Sequence, residues 1–82
     1  MISPEQYKPL AIMHVRDLAV FAAPGDREAV SDLLDTLEAA PATDTIFTRV
    51  SSILLPYTSR VIAGEDVSPS SALRELITAA RG

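Results

Sequence analysis

The chain contains no cysteine, no tryptophan and no asparagine, and only one histidine and three glycines among its 82 residues. Without cysteine there can be no disulfide and no thiolate zinc site. A lone histidine, His14, cannot supply the two-histidine sets common in metal centres. A chain this short buries only about 60% of the surface that its unfolded form exposes. With those staples missing, its support must come from well-formed helix packing or from a second copy of itself. The absence of tryptophan, with two tyrosines and two phenylalanines, makes the core aliphatic.

Long apolar runs are missing too. The most apolar stretch, "LAIMHVRDLAVFAA" at 10–23, carries His14, Arg16 and Asp17 in its middle, and with that interruption it is too short to span a bilayer. Residues 1–5 hold no basic segment, and Pro4 and Pro9 interrupt the start of the chain, so no secretory signal is read and a soluble, cytoplasmic protein is expected. Positive charge is scarce: seven basic residues face eleven acidic ones, for a net charge of −4. That balance argues against nucleic acid or an anionic membrane as the main partner. The asymmetry is local. Residues 26–44 hold six carboxylates against Arg27 alone, a sum of −5, which leaves the remainder at +1.

What is present is helical patterning. Hydrophobic residues at 48% and charged residues at 22% describe an ordinary folded domain, and the length allows one. The first segment opens "ISPEQY": Ser3 as N-cap, Pro4 at the first helical position and Gln6 completing a capping box, with Ile2 and Tyr7 placed for a hydrophobic staple. Pro9 falls a turn inside and predicts either a restart or a bend. Beyond it, apolar residues occur almost all the way round the helical wheel, so this helix should be buried on most sides, at a bundle centre or against a partner subunit. A strand over 17–23 is the competing reading of that short apolar run.

"APGD" at 23–26 ends the first segment and offers Asp26 as the N-cap of a second. There Val30, Leu33, Leu34 and Leu37 form one apolar face, and Glu28, Asp32, Asp35 and Glu38 lie opposite. Thr43 or Asp44 caps a third helix that runs to Ala63, with Gly64 as its C-terminal glycine. Pro56 lies within it, in "SSILLPYTSR". The apolar positions Ile46, Val50, Ile53, Leu54, Tyr57 and Val61 keep their phase across the proline, and neither a cap nor a glycine marks a break. The pattern predicts one kinked helix, with Ser51 or Ser52 hydroxyls engaging the disturbed turn. A fourth helix starts at Ser68–Pro69 and turns Leu73, Leu76, Ile77 and Ala80 inward, with Arg81 at its negative end.

The expected fold is therefore all-α, a small four-helix bundle with a proline-kinked third helix, one domain over residues 1–82. Candidate chemistry is thin. His14 could act as an acid-base group, but pairing it with Ser51 or Ser52 would need an orienting group and an oxyanion site. No G-x-S-x-G elbow or glycine-rich loop provides these, so His14 is read as structural, in the core or at its rim. The acidic stripe Glu28, Asp32, Asp35 and Glu38 lacks the histidines of helical di-metal sites and the spacing of a calcium loop. It is read as a solvated face, with docking of a basic protein as its one functional use. No metal, cofactor or catalytic residue is assigned and no enzyme is expected.

The functional expectation is a small acidic helical protein–protein interaction module, self-associating as a dimer and serving as an adaptor or regulatory accessory protein. Met13 and Val20, on the far side of the first helix from Val15 and Leu18, are the expected interface. The alternative is a DNA-binding regulator of helix-turn-helix type, whose recognition helix should carry outward arginine, lysine, asparagine or glutamine. The fourth helix offers Arg74 and Arg81, but also Glu75. An antitoxin-like or phage-type accessory role, neutralising a basic partner, lies within the binding class.

Overall fold

The computed structural model describes residues 2–81. Over these the chain forms α1 (Pro4–Ala19), α2 (Arg27–Ala39), α3 (Thr45–Ile62) and α4 (Pro69–Ala80), with a 3-10 turn at Pro24–Asp26 and no strand among the described residues. The strand reading of 17–23 falls: Asp17–Ala19 complete α1 and Val20–Phe21 form its closing turn.

Helix starts follow local chemistry closely. Both halves of the capping box form in α1: the Ser3 hydroxyl accepts from the Gln6 amide at 3.3 Å, and the Ser3 amide donates to Gln6 Oε1 at 3.0 Å. Asp44 accepts from the Ile46 amide at 2.9 Å and Ser68 from the Ser71 amide at 3.3 Å, each such cap contributing about 1 kcal/mol. At the end of α3 the Gly64 amide donates to the Val61 carbonyl and the Glu65 amide to the Arg60 carbonyl, both at 3.0 Å. This Schellman closure needs a left-handed residue, which Gly64 supplies at φ 79°.

Asp26 departs from its expected role. It stands at the N-cap position of α2, but its side chain makes no capping hydrogen bond. The preceding 3-10 turn holds its backbone at φ −101°, ψ −6°, outside the extended geometry that aims a cap side chain at the helix. Its carboxylate instead accepts from Arg74 Nε of α4 at 3.1 Å.

Neither internal proline divides its helix. α1 runs through Pro9, without the restart, and α3 runs through Pro56 as a single helix. The serine repair of the proline turn does not occur as expected. Pro56 leaves the Ser52 carbonyl without its usual donor, whereas the Ser51 and Ser52 hydroxyls donate to the Thr48 and Arg49 carbonyls, one turn earlier, at 2.8 and 2.6 Å. The proline itself is exposed, so that carbonyl lies on the side open to water.

The core is aliphatic with one aromatic, Phe47, and no polar or charged residue is buried among those described. Val15, Leu37, Val50, Leu73 and Leu76 are its most deeply buried large side chains. α4 touches α1, α2 and α3, and its pairing with α3 is the most extensive. α2 and α3 are consecutive in sequence yet pack little on one another, so the rule that short connections pair neighbours fails at the 40–44 turn. Each is held through α1 and α4.

Two expectations about burial change. Val61 shares the azimuth of Val50 and Leu54 but is 49% exposed. It lies in the last turn of α3, where neighbouring helices no longer cover that side. α1 buries only Ala11, Val15 and Leu18. It is not the centre of the bundle: Tyr7, Ile12 and Ala19 pack half-buried against the core, and Leu10 and Met13 face outward.

Candidate functional site

Basic side chains tie the helices together at their ends. Lys8 Nζ of α1 donates to the Glu38 and Ala40 carbonyls, at 3.0 and 2.6 Å, where the negative end of the α2 dipole lies. Arg16, two turns further along α1, pairs with the Glu38 carboxylate. Arg49 of α3 donates to the Ala79 carbonyl at the end of α4, at 3.2 Å, and Arg74 joins α4 to Asp26. Four of the seven basic side chains are thus drawn into links between elements. The two ion pairs are largely solvent-exposed and each is worth at most about 1 kcal/mol; their larger consequence is to set a carboxylate beside positive charge at the surface.

The acidic stripe is consequently divided. Glu28, Asp32 and Asp35 lie exposed on one face of α2, whereas Glu38, also exposed, is turned to Arg16. No cluster of three or more histidine, aspartate or glutamate side chains suited to a metal ion occurs among the described residues.

Two surface grooves of about 350 Å³ each are present. One lies between the Pro56 region of α3 and the start of α4, lined by Ser52, Tyr57, Arg60, Asp66, Ser68 and Glu75. The other lies between the start of α1 and α3, lined by Ile2, Tyr7, Phe47, Ser51 and Leu55. His14 borders neither; it is exposed on the outer face of α1, away from the core and rim expected for it. Ser51 and Ser52 line grooves that His14 does not border, so the pairing of His14 with either serine is not formed.

Tyr7 is the one side chain among the described residues with a buried polar atom left unpartnered. Its hydroxyl is shut away from water with no hydrogen-bond partner. Burial pushes the phenol above its ordinary value near 10, and the neighbouring Ser51 hydroxyl opposes the shift. It is the smaller of the two effects, and the Ser51 proton is directed at the Thr48 carbonyl. Tyr7→Phe is therefore expected to raise the unfolding free energy by about 1 kcal/mol, the desolvation cost of an unsatisfied hydroxyl. It should also abolish an alkaline loss. A raised folded-state value gives stability that is present below the unfolded tyrosine value and lost as pH climbs above about 10. Urea titrations at pH 7 and pH 10.5 on both proteins test this; a destabilised Tyr7→Phe would contradict it.

Large apolar side chains are exposed on the outside of α1 and its closing turn. Leu10, Met13, Val20 and Phe21 are 38%, 47%, 79% and 57% exposed. Met13 and Val20 thus fall on the solvent side and Val15 and Leu18 on the core side, as the wheel predicts. Leu10 and Phe21 extend that surface and were not part of the expected interface, because in sequence they could not be told from core residues. A second apolar group, Leu55, Val61 and Ile62, sits on the outer end of α3. No helix among the described residues is long and apolar enough to cross a membrane. The chain matches no model of a known protein family, no curated protein and no solved structure.

Proposed function

We propose that this chain is a non-enzymatic protein-interaction domain that acts as a self-associated pair, joined through the outer face of α1 around Met13 and Val20. The observation that carries this reading is the set of four large apolar side chains exposed on the outside of α1 and its closing turn, Leu10, Met13, Val20 and Phe21. A concentration of exposed large apolar side chains is what marks interaction sites. Surface scaling points the same way: a monomer of 8.8 kDa should expose about 4,800 Å², and this chain exposes 5261 Å².

The pair then presents its acidic α2 faces to a further partner. Glu28, Asp32 and Asp35 are exposed while Lys8, Arg16, Arg49 and Arg74 are occupied within the fold. That distribution favours a basic protein as the partner of an adaptor or regulatory accessory protein. It disfavours the helix-turn-helix alternative, since Arg74 of the candidate recognition helix is committed to Asp26 and duplex binding needs unpaired basic groups facing phosphate.

Light scattering of the native chain at micromolar concentration tests the first claim: a mass of two chains is expected. A mass of one chain across the micromolar range would overturn it.

A further inference from the structure

The pairing proposed above has a direction, and the outer face of α1 encodes it. Leu10, His14, Asp17 and Phe21 succeed one another at spacings of four, three and four residues, the 3.5-residue repeat that keeps a seam turned toward a partner helix; the first three lie on α1, and Phe21 lies in the turn that closes it. All four are exposed. Met13 and Val20, seven residues apart, run along one edge of this seam and are exposed as well. Ala11 and Leu18 run along the other edge and are buried in the chain's own core. The seam is apolar at both ends and polar only in its middle, where one imidazole and one carboxylate sit a turn apart.

The geometry points to an antiparallel, two-fold pairing of α1 with α1 of a second copy, in which Leu10 meets Phe21 of the other copy and His14 meets its Asp17. Positions 10 and 21 are centred on the same point as positions 14 and 17, so one register satisfies both contacts at once. An isologous interface requires this self-complementarity. Along the edge, Met13 falls beside Val20 of the second copy. A parallel pairing would set each residue against itself and place carboxylate against carboxylate at Asp17, a like-charge contact that antiparallel packing removes. The imidazole donates an N–H to the carboxylate in either protonation state, so the contact does not depend on a charged histidine. Arg16 does not compete for Asp17, because it is engaged with Glu38. The outer end of α3 offers no comparable pattern: Leu55 and Ile62 lie seven residues apart, with only Thr58 and Ser59 midway between them.

This inference rests on the self-association proposed above, and cross-linking separates the two. The native chain has no cysteine, so introduced thiols alone report contacts. Leu10→Cys and Phe21→Cys, one carrying a mass tag, are mixed and mildly oxidised. The mixture is expected to give a disulfide-linked heterodimer, and each variant alone is expected to remain unlinked. In the antiparallel register like positions lie about 16 Å apart along the axis, whereas a disulfide requires Cα atoms within about 7 Å. Both positions are exposed, and circular dichroism checks that each variant is folded. Efficient linking of Leu10→Cys with itself would overturn the inference in favour of parallel pairing. A native mass of two chains with no link in the mixture overturns the register alone; a native mass of one chain removes the pairing beneath it.

Discussion

Leu76→Ala is expected to lower the unfolding free energy by about 3 kcal/mol, in the range measured for emptying a buried leucine site. For a domain of this size the total is about 4–12 kcal/mol, so the variant would retain a fraction of its stability and melt about 12–24 °C lower. The reason for choosing Leu76 lies in the packing. It is completely buried, and it sits on the helix that touches each of the other three. α2 and α3 scarcely meet, so α4 and α1 carry the cohesion between them. A cavity at Leu76 therefore opens on the one helix that packs against all three others. Ile62→Ala is the matched control: its side chain is 81% exposed, and surface substitutions usually stay within about 0.5 kcal/mol. Urea unfolding of both variants measures the contrast. A loss below about 1 kcal/mol at Leu76 would mean that α4 is not the element holding the bundle together. The titrations belong at several protein concentrations, because self-association adds a concentration-dependent term to apparent stability.

That contrast also shows what periodicity can reveal. The spacing of apolar residues gives azimuth, and azimuth placed Val30, Leu33, Leu37, Val50, Leu54, Leu73 and Leu76 in the core. It does not give height. Val61 has the azimuth of Val50 and still emerges into solvent, since the last turn of α3 runs beyond its cover. Phe47 lay outside the expected stripe and is buried, because the core of α3 spreads sideways to meet both α1 and α4. Helix starts were legible because a cap is local: Ser3, Asp44 and Ser68 each reach an amide two or three residues on. Asp26 was misread for the complementary reason. Its partner, Arg74, lies 48 residues away, and a contact across that separation exists only once the helices have packed. The same holds for Lys8 and Arg49, whose roles at the ends of other helices have no sequence signature. His14, placed in the core or at its rim by its apolar neighbours, is on the outside because α1 buries only a narrow face. Apolar residues all round α1 did announce that something must cover it; the fold shows that its own bundle covers only one side.

The double substitution Met13→Lys/Val20→Lys is expected to convert a two-chain protein into a single folded chain. The choice of lysine rests on the helix. Val20 lies in the closing turn of α1, where a cation is favoured by the dipole, and at Met13, inside the helix, lysine is a good helix former. Within one chain the change should therefore be neutral or slightly stabilising. Between two chains it removes four apolar side chains from the contact and, in the antiparallel register, sets lysine against lysine along its edge. Loss of buried apolar anchors of this kind costs more than about 1 kcal/mol each where they matter, so the dissociation constant should rise by at least about a hundredfold. Sedimentation across the micromolar range reads the mass, and circular dichroism reads the helix content in the same samples. A monomer with native helicity and an undiminished urea midpoint at low concentration is the expected result. An unchanged two-chain mass would move the contact off this face of α1, with the apolar end of α3 as the next surface to alter. Unfolding of the variant would instead mean that Met13 and Val20 support the fold itself, which their exposure contradicts.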